Sequence, residues 1–281
     1  MRIGNREFDV QQHTYIMGIL NVTPDSFFDG GRYTGSDEMR ERVRSMVEEG
    51  CDLIDVGGES TRPGFAEVSV EEEIRRTCPV IEWITSEYDI PVSIDTRKSR
   101  VAEAALKAGA SLINDVTGLA GDDEMADLAA RTGVACVIMS DCAFRPQEDI
   151  IKAVLSDWEN KVGRALDAGV LPGKIILDPG IGFHAPVDPS DSTGRNAADR
   201  IIVDRMEELK KAGFPLLIAH SNKSFLKKEH EKSKAERLPG TVLVTGMAAG
   251  IGASFVRVHD IGVNKAAIRI AETIRKQGER S

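Results

Sequence analysis

Aromatic residues are scarce in this sequence, at 5% of 281 residues, and there are only four cysteines. Cys51, Cys78, Cys136 and Cys142 show no close paired spacing, so the chain encodes neither a cysteine metal knuckle nor a disulfide framework. A reduced, cytoplasmic setting is the simplest expectation. Long apolar runs are missing as well. Stretches such as 15–20 and 215–219 are far too short to cross a bilayer. The opening MRIGNREFDVQQH lacks the apolar centre of a signal peptide. Excess positive charge is also absent. Lys and Arg number 36 against 45 Asp and Glu, a formal net charge of −9, which does not suggest a nucleic-acid partner. No low-complexity tract or linker divides the chain, so 1–281 reads as a single domain.

What is present is a repeated unit. A short apolar run leads to a polar or glycine-bearing turn and then to an amphipathic stretch. The apolar runs fall at 15–20, 52–56, 91–94, 111–114, 134–139, 174–177, 215–219 and 254–258. Helical patterns lie between them, among them 36–49, 97–108, 146–168 and the final 264–276. Gly50, Gly109, Gly133, Gly169 and Gly213 mark helix ends. Strand–helix repetition requires a largely parallel sheet. Eight units in this length fit a closed (β/α)8 TIM barrel, and residues 1–14 are expected as a short N-terminal hairpin under its lower end. A doubly wound open sheet is the alternative, but no G-x-G-x-x-G turn follows the first strand. The polar insertion 184–200 interrupts the rhythm, and the charged segment 227–240 is expected to be a solvated helix or mobile loop.

In such a barrel the chemistry gathers where strands run out into the following loops. Two sets of residues stand there. Asp95, Asn114 and Asp178 could pair with the N–H and amino groups of a flat heterocycle, as carboxylates do with a guanidinium. Lys223 could donate to its carbonyl or nitrogen, and Met139 and Phe183 offer apolar faces. The plainer alternative for Asp178 is a turn-forming Asp before proline. The second set suits an anion: Asn21, Arg62, Arg257 and His259. Arg-x-His on a strand sends both side chains to one face. The plainer alternative for Arg257 is an ion pair at the rim, with Asp260 nearby. Asp25, Phe27 and Phe28 sit in a loop bounded by Pro24 and Gly30-Gly31, which either packs back on the body or closes as a lid.

GILNVTPDSFFDGG (18–31) and DVGGESTRPG (55–64) closely resemble two signatures of the dihydropteroate synthase family. SIDT (93–96), INDVTG (113–118), LDPGIGF (177–183) and VRVHD (256–260) follow in that family's order across the whole chain. The resemblance implies a (β/α)8 barrel. It implies a transferase that condenses 6-hydroxymethyl-7,8-dihydropterin diphosphate with p-aminobenzoate to give 7,8-dihydropteroate and pyrophosphate, in folate biosynthesis. By that likeness Asp95, Asn114, Met139, Asp178, Phe183 and Lys223 hold the pterin. Asn21, Arg62, Arg257 and His259 hold the diphosphate with Mg²⁺, Asn21 being the metal ligand. Ser224, at the start of the helix after the seventh strand, meets the p-aminobenzoate carboxylate, and Phe27, Thr61, Pro63 and Phe183 shape its ring pocket. Asp25, Lys223, Arg257 and Asp95 are the catalytic candidates, with Asp25 offsetting charge on the reacting methylene. A homodimer is implied as well, and no nucleic acid or membrane.

Three places depart from the family pattern. Ser221-Asn222-Lys223-Ser224 stands where Ser-Arg-Lys-Ser is usual. Met139-Ser140-Asp141-Cys142 replaces a Met-His-Met type of strand end, and His184-Ala185-Pro186 replaces a Gly- and Lys-bearing turn. These changes leave two alternatives: a modified arylamine, such as an aminobenzoate bearing a sugar, as acceptor, or a pterin-binding protein without transferase activity.

Overall fold

The period of two along each strand positions everything else in the molecule. The computed structural model describes residues 1–22, 37–59, 67–143, 145, 148–184, 194–227, 231 and 233–278. β1 (Arg2–Ile3) and β2 (Arg6–Glu7) form a small antiparallel hairpin. Eight parallel strands follow: β3 (Tyr15–Asn21), β4 (Leu53–Gly57), β5 (Val92–Asp95), β6 (Leu112–Asp115), β7 (Ala135–Met139), β8 (Ile175–Asp178), β9 (Leu217–Ile218) and β10 (Phe255–Val258). Their order is β8-β7-β6-β5-β4-β3-β10-β9. A parallel bridge between Leu177 and Leu216, with Leu177 N donating to Pro215 O at 2.9 Å, joins the two edges and closes the barrel. The helices are α1 (Asp37–Glu48), α2 (Val70–Glu87), α3 (Ser99–Lys107), α4 (Met125–Thr132), α5 (Ile150–Asp167), α6 (Gly194–Asp204), α7 (Leu238–Ile251) and α8 (Ile261–Gly278). No helix among the described residues is long and apolar enough to cross a membrane.

All eight expected strands and the hairpin are found, although the run at 215–219 pairs as a strand only over Leu217–Ile218. The five glycines expected at helix ends all have positive φ, and Gly133 (φ 63°) closes α4 in the left-handed conformation that side chains resist.

Alternation divides the strands into two cores. Ile16, Leu20, Ile54, Val56, Val92, Ile94, Ile113, Cys136, Ile138 and Val256 face outward and are covered by the helices. Met17, Leu53, Leu112, Val137, Ile176, Leu217 and Phe255 face inward and fill the lower barrel. Ile3 and Phe8 of the hairpin region plug that end, with the Phe8 ring centroid 4.8 Å from Tyr15 and 5.7 Å from Phe255. Two to four residues further along the same inward faces, the side chains become polar.

A candidate active site at the barrel mouth

The inward positions at the upper strand ends converge on Arg257. Its Nε donates to Asp55 Oδ2 and its Nη2 to Asp95 Oδ2, each at 2.6 Å. Asn114 Nδ2 donates to the same Asp55 oxygen at 3.1 Å. Asp55 is fully buried and Asp95 nearly so. Oδ1 of each has no hydrogen-bond partner among the described residues. Burial pushes the Asp95 carboxyl up to about 7; the Arg257 charge opposes this and the neighbouring Asp55 adds to it. Burial works against charge on Arg257 too, but Asp55 and Asp95 outweigh it and hold the guanidinium firmly protonated.

The second half of the site is Asp178 with Lys223. Burial lifts the Asp178 carboxyl to about 6, against the Gly180 N–H, which donates to Oδ1 at 2.8 Å, and against Lys223 and Arg257. The turn-forming role is therefore present in one oxygen. Burial, then the charge of Arg257, lowers Lys223 to about 8, while Asp178, Asp199 and Asp95 oppose it. Its ammonium sits 4.4 Å from the Phe183 ring centroid, a cation–π contact. Gly180 (φ 71°) lets two strand-end loops touch: a Cβ there would fall 1.8 Å from Ser140 O. Arg257 of the second set thus shares one mouth with Asp95, Asn114, Asp178 and Lys223 of the first. Arg257 pairs with Asp55 and Asp95 rather than with Asp260.

Helix α5 braces the ends of β7 and β8 from behind. Trp158 Nε1 donates to Asp178 O at 3.2 Å, and Lys161 Nζ to Met139 O at 2.9 Å. The buried Lys161 is itself held by Asp141 at 2.5 Å and Asp157 at 3.0 Å. Trp158 and Lys161, three residues apart, share a helix face. Neither residue, nor Asp55, is singled out by the strand-end reading. Asp55 had a signal: an acid on the inward parity of the apolar strand LIDVG. The two props had none, because a Trp and a Lys in an amphipathic helix look like core and surface.

The remaining candidates are placed as follows. Asn21 ends β3 beside Gly57, with an exposed side chain. Ser221 Oγ and His259 Nδ1 are 2.9 Å apart, and Arg42 donates to the His259 carbonyl. Ser224 does not start a long helix. It opens the 3-10 turn Ser224–Leu226, flanked by extended Lys223 and Lys227, and α7 begins only at Leu238. Its hydroxyl donates to Asn196 Oδ1 at 2.7 Å. The charged segment 227–240 is not simply a solvated face either. Arg237 pairs with Glu231 at 2.6 Å, both side chains at most 12% exposed, and donates to Asn222 O at 2.8 Å. It fastens the strand-end turn in which Asn222 takes a left-handed φ of 56°. Glu59, in the second signature, accepts from Val68 N at 3.1 Å and pairs with Lys98. Asp25, Phe27, Thr61, Arg62 and Pro63 lie outside the described residues.

Comparison with known proteins agrees with this fold. Residues 17–259 match the family described as pterin binding enzyme. The chain is 42% identical over 275 residues to a dihydropteroate synthase of Clostridium beijerinckii, covering 98% of this chain and 99% of that one. It is 42% identical over 251 residues to the Bacillus subtilis enzyme, covering 89% and 85%. A crystal structure of the Clostridium difficile dihydropteroate synthase in the presence of pteroic acid superposes with a TM-score of 0.86 at 40% identity, covering 95% and 99% of the two chains. The Xanthomonas albilineans enzyme with 4-aminobenzoic acid gives 0.82 at 33% identity, covering 94% of each. The chain belongs to the pterin-binding enzyme family and, within it, to the dihydropteroate synthases.

Proposed function

We propose that this barrel mouth binds 6-hydroxymethyl-7,8-dihydropterin diphosphate and p-aminobenzoate and joins them, releasing pyrophosphate. The observation that carries the assignment of roles is the pair of buried Oδ1 atoms on Asp55 and Asp95 that have no partner among the described residues. A buried carboxylate oxygen without a donor costs several kcal/mol, roughly. The N–H-rich edge of a pterin supplies such donors. Asp178 accepts from the far edge and Lys223 donates to the ring, with Asn114, Met139 and Phe183 completing the pocket.

Loss of diphosphate leaves a cationic methylene, which the electron-rich ring delocalises and Asp25 offsets. Arg62, Arg257 and His259 stabilise the departing charge. Lying at 2.6 Å from two carboxylates, Arg257 also fixes the pterin-binding acids. The aryl amine then attacks the methylene carbon, with its carboxylate at Ser224 and its ring among Phe27, Thr61, Pro63 and Phe183. An aniline nitrogen needs no strong base.

Among the described residues no group of three or more His, Cys, Asp or Glu could hold a metal. Mg²⁺ nonetheless suits the site, because it takes hard oxygen ligands and is commonly held by one or two protein oxygens with waters and substrate phosphates. The exposed Asn21 amide at the β3 end offers such an oxygen. When bound, the ion would neutralise charge on the leaving diphosphate.

Leu243 on α7 and Val263, Ile270 and Ile274 on α8 are exposed, Leu243 and Ile274 at 65%. This apolar strip supports a homodimer through a second copy of the chain. The four unpaired thiols fit the cytoplasm. Asn222 favours a second reading of the acceptor. Its side-chain oxygen is buried, between Ser221 and Lys223 in the chain, without a partner among the described residues, and an arylamine bearing a hydroxyl or sugar would donate to it. Incubation with the pterin diphosphate, p-aminobenzoate and Mg²⁺ should release pyrophosphate and form dihydropteroate. A folded chain that binds pterin yet makes no product would refute transferase activity, and preference for a glycosylated aminobenzoate in competition would reassign the acceptor.

A further inference from the structure

His184 takes no part in the chemistry above, yet it is fully buried beside the pocket. Both of its ring nitrogens face carbonyl oxygens: Nε2 is 2.6 Å from Pro179 O, and Nδ1 is 2.9 Å from Cys142 O. A carbonyl only accepts, so each nitrogen must carry its own proton and the ring is an imidazolium. Burial works against that charge, but the Cys142 contacts and the Pro179 carbonyl outweigh it and raise the ring's pKa to about 9. The same Nδ1 lies 3.5 Å from the half-buried Cys142 sulfur. Two departures from the family pattern, far apart in sequence, therefore meet as one Cys–His pair. The other thiols are placed differently. Burial pushes Cys51 and Cys136 up to about 12 and raises Cys78 as well.

We propose that Cys142 and His184 form a thiolate–imidazolium pair that makes Cys142 the site where soft carbon electrophiles modify this chain. A cation against the sulfur favours the thiolate, and the thiolate is the nucleophile. With iodoacetamide the sulfur lone pair forms the S–C bond, the C–I bond breaks and iodide leaves. The thiol's proton already rests on His184 and stays there. Among the described residues the charged groups near the pair are Asp178, which interacts with the His184 charge from the end of β8, and Asp141, the residue before Cys142, which is paired with Lys161 of α5. Modification also reaches the pocket. His184 holds the carbonyl of Pro179, the residue after Asp178. A carboxamidomethyl group on the sulfur wedges between the two side chains and loosens the turn that aims that carboxylate. This last consequence rests on the pterin reading, whereas the labelling does not.

The test is iodoacetamide labelling of the reduced, full-length protein between about pH 6 and 9, with peptide mapping by mass spectrometry. At pH 7 Cys142 should react at least about tenfold faster than Cys51, Cys78 or Cys136. In His184→Gln the rate at pH 7 should fall about tenfold. A Cys142 rate no faster than that of Cys78, or one unchanged in His184→Gln, overturns the pair. Because that variant could misfold, ¹⁵N-histidine NMR of the wild type provides an independent reading. Both His184 nitrogens should be protonated at pH 7, and a neutral tautomer overturns the proposal. Cys142→Ser should turn over like the wild type and keep its activity in iodoacetamide. A fully labelled wild type that stays active overturns the link to Asp178. If no turnover is found under any condition, the labelling and NMR results still stand or fall by themselves.

Discussion

The lower and upper halves of the barrel interior are built on the same strand faces, yet they do opposite work. On β4, Leu53 and Asp55 point inward two residues apart. Below, Met17, Leu53, Leu112, Val137, Ile176, Leu217 and Phe255 pack with Ile3 and Phe8 and stabilise the fold by removing apolar area from water. Above, Asp55, Asp95, Asp178, Lys223 and Arg257 bring charges into the mouth, with burial raising the Asp95 and Asp178 carboxyls to about 7 and about 6. One tier supplies stability that the other uses. Changes in the lower tier should move stability and spare substrate affinity, and changes in the upper tier should do the reverse.

The largest effect is expected at Phe255. Phe255→Ala should cost about 3–5 kcal/mol in urea unfolding while leaving the KM values of the folded protein near the wild type. A large KM change there would blur the division between the tiers. Arg257→Ala crosses the division, because it strands two buried carboxylates. It should lose about 3 kcal/mol or more at pH 8 and less at pH 6, where Asp95 can take up a proton. An equal loss at both pH values would refute the pairing as the cause. Lys223→Ala should weaken pterin binding by about 2 kcal/mol, roughly 30-fold, with an almost unchanged Tm. Next comes the pH profile. kcat/KM should decline as pH falls through about 7 and 6, where Asp95 and Asp178 gain protons, and again above about 8, where Lys223 loses one. A flat profile over that range would argue that these groups do not touch substrate.

The smallest effect is the most diagnostic for the upper tier. A carboxyl whose folded pKa lies above its unfolded one binds more protons folded than unfolded. Its contribution to stability is therefore full at low pH and is lost as pH rises through about 6. Asp178→Asn keeps the oxygen that accepts from Gly180 and removes the charge. At pH 8 its Tm should equal or exceed that of the wild type while pterin affinity drops. A clearly lower Tm would show that the charge itself stabilises the fold.

Much of this was legible in the sequence, because the barrel is periodic and its chemistry sits at strand ends. The eight apolar runs, the helix-end glycines and the positions of Asp95, Asn114, Asp178 and Arg257 all follow from counting. What stayed hidden were partners. Nothing local indicates that Arg257 reaches Asp55, 202 residues away, or that Lys161 spans 22 residues to brace Met139. The segment 227–240 misleads for the same reason: a run of charges looks solvated until Glu231 and Arg237 are seen to neutralise each other against Asn222. Ser224 sits where a helix would be expected, but the left-handed turn at Asn222 and the extended residues around 224–226 postpone it to Leu238.

The most direct test is calorimetric titration of a dihydropterin lacking phosphates into the wild type and into Asp178→Ala. If the buried acids of the mouth grip the ring itself, the variant should bind at least about 30-fold more weakly while unfolding at a similar temperature. Near-equal affinities would contradict that placement and move the ring elsewhere in the barrel.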